Sequence, residues 1–228
     1  MFCAAIFDWD GTLADSKVAV VSSFQRVLKK RGCHVDDEFI EKRIGIGARN
    51  TFAEALETAN ISFNSSMLED FVSEKIKTQI EHIWSIQLFE GALWLLQSLH
   101  NRVKMALASS NNREVIDRIL TEKKMRRYFD VTITVEDILK PKPHPEIFLK
   151  CAKELDCYPR RCVVLEDSIF GVKAAKRAGM KCIAVLSGAY NKKEFVDENA
   201  DLVVNSLNQT KPILNFILED QDVSADFK

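Results

Sequence analysis

The chain has 228 residues, of which 46% are hydrophobic and 29% charged, a composition typical of a globular protein with a sizeable core. Its 32 basic and 33 acidic residues leave a net charge of −1, which disfavours nucleic acid or an anionic membrane as the main partner. No apolar run is long enough to cross a bilayer and no signal segment precedes the first apolar stretch, so we expect a cytoplasmic protein.

Short apolar segments predict β-strands, and helical patterns separate them after the first. The strand candidates are 3–7, 103–108, 131–134, 162–165, 182–186 and 202–204. Ser168 is placed to cap one of the intervening helices, and Gly179 to end it. This alternation predicts an α/β fold with a Rossmann-like parallel sheet core and helices on both faces.

The first connection is far longer than a normal loop after a strand, because the second strand candidate begins only at residue 103. A helix over residues 93–99 would suffice to make it. Three apolar stripes between residues 16 and 87 show helical spacing and predict an inserted four-helix-bundle cap. Ser66 with Glu69 predicts a capping box at the start of its last helix.

This pattern divides the chain into two domains. A discontinuous core comprises residues 1–15 and 88–220, and a helical cap domain comprises residues 16–87. The tail, residues 221–228, is expected to fray.

Six cysteines are spread along the chain without a Cys-x-x-Cys spacing: Cys3, Cys33, Cys151, Cys157, Cys162 and Cys182. The four histidines show no ligand spacing either. The cysteines therefore predict buried free thiols rather than zinc ligands or disulfides.

The first strand ends in two carboxylates at alternate positions, Asp8 and Asp10, followed by Gly11 and Thr12. In an open α/β sheet, ligands bind just beyond the carboxyl ends of the strands. Two carboxylates there suit a hard cation beside an anionic substrate, and one of them is available as a nucleophile. The alternative is an acidic turn, because Asp and Gly are common turn residues.

Later strand ends and the loops after them carry polar residues too. Residues 109–111, Ser-Ser-Asn, either bind a phosphoryl oxygen or merely cap a helix. Lys142 lies in a proline-rich loop, where it either holds charge near the carboxylates or is an ordinary surface lysine. Glu166 and Asp167 either join the site or complement a helix dipole. The repetition of polar groups at strand carboxyl ends favours a catalytic site.

With these four motifs in order, the chain resembles the haloacid dehalogenase-like (HAD) hydrolases over roughly residues 1–15 and 88–205. Asp-x-Asp-Gly-Thr, from Asp8, is similar to the family's first motif. The third motif, Lys-Pro-x-Pro-Glu, fits Lys142 and not Lys140. The inserted helices look like the C1-type cap of the branch that contains phosphoglycolate phosphatases, β-phosphoglucomutase and sugar phosphatases.

The resemblance implies a Mg²⁺-dependent reaction through an aspartyl-phosphate. Asp8 would attack phosphorus, and Asp10 would act as general acid and base. Mg²⁺ would bind Asp8, the backbone carbonyl of Asp10 and Asp167, while Glu166 would orient waters. The groups that would hold the phosphoryl oxygens and the substrate are Ser109, Lys142, the backbone near Trp9 and Ser110, and Asn111.

Departures from other branches of the family narrow the reaction. Asp10 disfavours dehalogenase and phosphonatase chemistry, and residues 15–21 lack the cap histidine of β-phosphoglucomutases. In residues 43–52, Gly45 and Arg49 are expected to contact substrate. The sequence thus predicts a phosphomonoester hydrolase for a small phosphorylated metabolite, either a phosphoglycolate-like acid or a sugar phosphate. A β-phosphoglucomutase-like phosphomutase and a catalytically silent interaction protein are the alternatives, and the oligomeric state stays open.

Overall fold

The computed structural model describes residues 1–219, so the predicted fraying of residues 221–228 lies outside the described part. The strands within it are β1 (Ala4–Phe7), β2 (Ala14–Asp15), β3 (Gln87–Leu88), β4 (Lys104–Ala108), β5 (Val131–Ile133), β6 (Cys162–Glu166), β7 (Lys181–Val185) and β8 (Leu202–Val204). The α-helices within it are α1 (Lys17–Lys30), α2 (Asp37–Glu41), α3 (Ala48–Thr58), α4 (Ser65–Glu81), α5 (Ala92–Leu99), α6 (Arg113–Glu122), α7 (Glu146–Glu154), α8 (Ile169–Arg177), α9 (Lys192–Asp197) and α10 (Thr210–Leu218).

Six strands form one parallel sheet in the order β5-β4-β1-β6-β7-β8. All six strand predictions are confirmed to within one residue at each end. The central strand β1 pairs with β4 on one side and β6 on the other, so their carboxyl ends lie side by side. From β1 the chain adds β4 and β5 on one side, then crosses to the other side of β1 to add β6, β7 and β8. This single reversal is the doubly wound arrangement, and it places β1 beside the point where the strand order reverses.

Helices cover both faces of this sheet, as predicted. Ala5 and Phe7 of β1 point into one hydrophobic cluster, which α5, α6 and α10 complete. Ala4 and Ile6 point into the other, completed by α7, α8 and α9. This alternation follows from the two-residue period of a strand, and it explains why β1 is apolar at every position.

Residues 17–81, the helical insertion, comprise α1–α4 and have a hydrophobic cluster of their own. The ring of Phe52 packs between Phe24, at 4.8 Å in a tilted contact, and Phe71, at 5.3 Å in an edge-to-face contact, measured between ring centroids. The chain enters and leaves the insertion through the antiparallel pair β2–β3. That pair was not predicted, because two-residue strands leave no readable periodicity.

The start of α4 corrects one sequence expectation. The predicted capping box of Ser66 and Glu69 is wrong, because the helix already begins at Ser65. Asn64 is its N-cap instead, and its side chain accepts the backbone N–H of Met67. Asn is as good an N-cap as Ser, so the upstream residue takes the position.

The prediction that all six cysteines are free thiols is wrong for Cys3 and Cys157, which form a disulfide with Cα atoms 6.3 Å apart. Cys3 directly precedes β1, and Cys157 lies between α7 and β6, so both lie at the amino ends of the strands, away from the carboxylates. Their separation of 154 residues hides this proximity from a reading of spacing alone. The remaining cysteines are buried free thiols as predicted: Cys33, Cys151, Cys162 and Cys182.

Among residues 1–219, no helix combines the length and the apolar character needed to span a bilayer.

Candidate active site

The carboxyl ends of β1, β4 and β6 bring the predicted residues to one place. Asp8 follows β1, Ser109 follows β4, and Glu166 ends β6. The side chains of Asp8, Lys142, Glu166 and Asp167 are all buried there. The topology therefore gathers the four motifs that the sequence separates.

Lys142 is the centre of this cluster. Its Nζ donates to Asp8 Oδ1 and to Glu166 Oε1, both at 2.6 Å. Burial opposes a charge on this lysine, but the neighbouring Asp8 and Glu166 outweigh it and raise the pKa of Lys142. The interpretation as an ordinary surface lysine is therefore wrong, and the ammonium stays protonated between the two carboxylates.

Three carboxylates face this one ammonium, which leaves an excess of negative charge. Burial raises the pKa of Asp8 well above its usual range, and Lys142 offsets this only in part. Burial and the charge of Glu166 likewise raise the pKa of Asp167. Oxygen atoms of Asp8, Glu166 and Asp167 lie within 4.8 Å of one another, so a hard cation would relieve the repulsion.

Hydrogen bonding separates the roles of these carboxylates. Both oxygens of Glu166 are engaged, since Oε1 accepts from Lys142 and Oε2 accepts the N–H groups of Asp167 and Ser168 at 3.1 Å. Asp167 Oδ1 accepts the Thr12 hydroxyl at 2.9 Å, and no hydrogen bond within residues 1–219 reaches its Oδ2. Asp167 and Asp8 are thus the carboxylates with oxygens open to a cation, and their chemistry fits Mg²⁺.

Glycines let the backbone press against these carboxylates. A Cβ on Gly11 would lie 2.1 Å from Asp167 Oδ2, and one on Gly188 would lie 2.2 Å from the same atom. On Gly171, a Cβ would lie 1.8 Å from the carboxyl carbon of Glu166. The cradle around the carboxylates therefore requires glycine at three places on three separate segments.

The Asp10 carboxylate is held from both sides. The hydroxyl of Ser16 donates to Oδ1 at 2.6 Å, and the side-chain amide of Asn111 donates to Oδ2 at 3.0 Å. Asn111, predicted to contact substrate, therefore orients Asp10 and also lines the cavity. Ser109 is fully buried, and its hydroxyl accepts the Asn111 N–H at 3.1 Å. Helix α6 takes Asn112 as its N-cap, so residues 109–111 do not serve merely as its cap.

Lys75 is the site residue that the sequence prediction missed. It lies on α4, is buried, and donates to Asn111 Oδ1 at 2.9 Å and to Gln79 Oε1 at 2.5 Å. Burial lowers its pKa to about 8 against the opposing charges of Asp10 and Glu136. The sequence did carry a signal, because Lys75 stands four residues after the buried Phe71 and shares its helix face.

A cavity lies between these residues and the helical insertion. Asp8 and Asp10 form its floor, while Gly45 and Lys75 belong to its other side. It encloses ≈ 420 Å³ in all, open solvent included, but the space that the centre of a water molecule can occupy is only ≈ 30 Å³. That free space is enough for about two water molecules.

The remaining predicted residues have different surroundings. Gly45 lines the cavity as expected, with φ +118°. Trp9 buries its indole in the core, which leaves only its backbone for a ligand. The hydroxyl of Ser110 lines the cavity and donates to the Gly45 carbonyl at 2.5 Å.

The structure does not bring Arg49 to the site, which corrects that prediction. Its guanidinium is half exposed, donates to the Ser65 hydroxyl at 3.0 Å and lies 3.8 Å from Glu69. The reason is the helical period: Ala48 and Thr51 turn the inner face of α3 to the cavity, and Arg49 falls on the outer face.

Comparisons with known proteins agree on the relationship. A model of the haloacid dehalogenase-like hydrolases matches residues 5–185. The phosphorylated carbohydrates phosphatase of Thermotoga maritima is 31% identical, over 95% of this chain and 98% of that protein. Hexitol phosphatase B of Escherichia coli is 30% identical, over 90% and 93%. The crystal structure of a β-phosphoglucomutase from Clostridium difficile gives a TM-score of 0.83 at 29% identity, and covers 92% of this chain and 94% of that one.

Proposed function

The chain belongs to the haloacid dehalogenase-like hydrolase family and is a phosphatase, and we propose that it hydrolyses small sugar phosphates in a Mg²⁺-dependent reaction through an aspartyl-phosphate. The observation that carries this proposal is the buried Lys142 between Asp8 and Glu166, with Asp167 beside them. Two relatives whose names specify phosphorylated carbohydrates or hexitols support the substrate class.

Asp8 is the proposed nucleophile. One of its oxygens accepts from Lys142, which fixes the carboxylate while a bond forms between Asp8 and phosphorus. The bond from phosphorus to the sugar oxygen breaks, and Asp10 gives that oxygen a proton. In the second half, Asp10 takes a proton from water, the water oxygen bonds to phosphorus, and the bond to Asp8 breaks. Ser16 and Asn111 hold the Asp10 carboxylate for both proton transfers.

The metal requirement follows from charge. A dianionic phosphate must approach three carboxylates, and Lys142 supplies a single positive charge. Asp8, Asp167 and the backbone carbonyl of Asp10 would hold Mg²⁺, which neutralises phosphoryl oxygens when bound. Glu166, fully hydrogen bonded, keeps Lys142 in place.

The helical insertion is proposed to act as a mobile cap, with residues 16–87 as one domain and residues 1–15 and 88–220 as the core. Its separate hydrophobic cluster supports this division. The small free space in the cavity supports mobility, because a sugar phosphate needs more room than about two water molecules occupy.

A phosphomutase is the second candidate, supported by the likeness to the Clostridium difficile β-phosphoglucomutase. The apolar Val20 of α1 lines the cavity, and residues 15–21 contain no histidine that could exchange a proton. This favours hydrolysis over transfer between two sugar hydroxyls.

The test is phosphate release from a panel of hexose, pentose and hexitol phosphates and phosphoglycolate, with Mg²⁺ and with EDTA. The proposal expects release from at least one sugar phosphate that EDTA abolishes. Conversion of a hexose 1-phosphate into its 6-phosphate without phosphate release would instead establish the mutase. Release that persists in EDTA would contradict the role of the metal.

A further inference from the structure

The roof loop, residues 42–47, joins α2 to α3, and four of its residues line the cavity: Arg43, Ile44, Gly45 and Gly47. Two hydroxyls of the core hold it. Ser110 Oγ donates to the Gly45 carbonyl at 2.5 Å, from within the cavity. Tyr190 Oη donates to the Lys42 carbonyl at 2.6 Å. Among the described residues, Tyr190 is not part of the cavity lining, so it reaches the roof loop from outside.

The ring of Tyr190 is fixed on the core. Only 8% of the residue is exposed, and its ring makes edge contacts with Phe170 of α8 and Phe195 of α9, with centroids 6.5 Å and 6.2 Å away. Since both neighbours belong to the core, the hydroxyl is a fixed point against which the roof loop is held.

The segment that carries Tyr190 also touches the catalytic centre. The hydroxyl of Ser187 donates to the Gly11 carbonyl at 2.6 Å. The backbone of Gly188 passes so close to Asp167 that a Cβ there would lie 2.2 Å from its carboxylate. One short segment, residues 187–190, therefore contacts both the proposed metal-binding carboxylate, through Gly188, and the roof loop, through Tyr190.

We propose that Tyr190 is a positioning residue that latches the roof loop to the core, and that its hydrogen bond to Lys42 breaks whenever the cap opens. The proposal rests on the proposed function in naming substrate entry as the reason for opening. A phenol and a carbonyl that lose their partner during opening favour the closed state, because an unpaired polar group is costly until water reaches it.

A thiol placed in the cavity measures opening directly. Ala48 directly follows the roof loop, lines the cavity and is 8% exposed, so we expect a thiol introduced by Ala48→Cys to react faster with an alkylating reagent when the roof loop lifts. The four free cysteines of the described chain are buried and report global unfolding instead. The reagent is N-ethylmaleimide, which does not react with the disulfide. Because the introduced thiol reacts from the open state, its labelling rate follows the opening equilibrium.

Adding Tyr190→Phe is expected to accelerate labelling in the cavity by about three- to tenfold, the effect of losing one hydrogen bond from the closed state. The matched control is Tyr158→Phe, because Tyr158 is 72% exposed and lies outside the latch. The protein with Ala48→Cys and Tyr158→Phe is expected to be labelled at the same rate as the protein with Ala48→Cys alone.

An unchanged rate in the Tyr190→Phe protein would overturn the latch. The latch would also be overturned if Tyr190→Phe accelerated labelling equally in a protein without Ala48→Cys, because only the native buried cysteines can then react, and they report global unfolding. Ser187→Ala, which frees the same segment from Gly11, is expected to accelerate labelling as well. The measurement needs no substrate, so failure of the latch is distinguishable from failure of the phosphatase proposal.

Discussion

At the scale of single residues, the site is a buried ion cluster whose members depend on one another. Lys142 is fully buried between Asp8 and Glu166, and both carboxylates are buried too. If Lys142 is removed, water cannot solvate the charge that is left on either carboxylate. Removing one member of such a cluster leaves buried charges unpaired, which is more damaging than the loss of an exposed ion pair.

Lys142→Met is therefore expected to lower the free energy of unfolding by about 3 kcal/mol and to abolish turnover, because Asp8 and Glu166 lose their shared cation. Urea unfolding and phosphate release measure the two effects. Lys140→Met in the same loop is the control, since Lys140 is exposed. Equal stability and activity of the two variants would contradict the assignment of Lys142.

Lys75 makes a pH-dependent prediction. Its pKa is lowered to about 8 in the folded chain, from 10.5, so between these values the unfolded chain binds more protons. The unfolding free energy of the wild type should rise with pH in that window, by about 1–2 kcal/mol from pH 7 to 9.5 relative to Lys75→Met. Urea unfolding of both proteins at the two pH values checks this. Parallel pH profiles would show that Lys75 titrates normally.

At the scale of elements, the strand ends could be predicted from the sequence because short apolar runs stop at polar residues. The bounds of all six strands of the sheet were predicted to within one residue. The grouping of Asp8, Lys142 and Asp167 was predicted as well, because each follows a strand or lies in the loop after one. Contacts between residues far apart in the sequence could not be predicted in this way. Lys75 of α4 donates to Asn111 beyond β4, and Cys3 bonds to Cys157 at the amino ends of the strands. Neither contact leaves a local pattern in composition or spacing.

Gly171 shows how one helix position shapes the site. Alanine is the better helix former by about 1 kcal/mol, yet its Cβ would lie 1.8 Å from the Glu166 carboxyl carbon. Gly171→Ala is expected to displace Glu166 and with it Lys142, and to reduce turnover about 100-fold, as for a misplacement of about 1 Å. Steady-state kinetics check this against Lys173→Ala, a substitution on the same helix. Activity equal to that control would refute the steric argument.

At the scale of the whole molecule, the cap and the disulfide act at opposite ends of the sheet. The cavity lies between the insertion and the carboxyl ends of the strands, and the centre of a water molecule can occupy only ≈ 30 Å³ of it. The proposed cap movement would therefore act on the catalytic end of the sheet. The disulfide from Cys3 to Cys157 lies at the opposite, amino ends of the strands, before β1 and after α7. Its contribution is therefore expected in stability and not in turnover.

Reduction with dithiothreitol should lower the free energy of unfolding by about 2–4 kcal/mol, because a long loop of the unfolded chain is released. Phosphate release should be unchanged under conditions where the protein stays folded. Cys3→Ser, which has no bond to lose, is the control and should not respond to the reductant. A wild type whose urea midpoint ignores dithiothreitol would contradict the structural role of the disulfide.

The most direct test of the central claim is Mg²⁺-dependent phosphate release from the best sugar phosphate by Asp8→Asn, compared with Asp15→Asn. Asp8 is buried against Lys142, whereas Asp15 is exposed on β2. The account predicts that Asp8→Asn loses turnover but stays folded, because Lys142 keeps Glu166 as its partner, and that Asp15→Asn keeps the wild-type rate. A folded Asp8→Asn protein that still releases phosphate at that rate would contradict it.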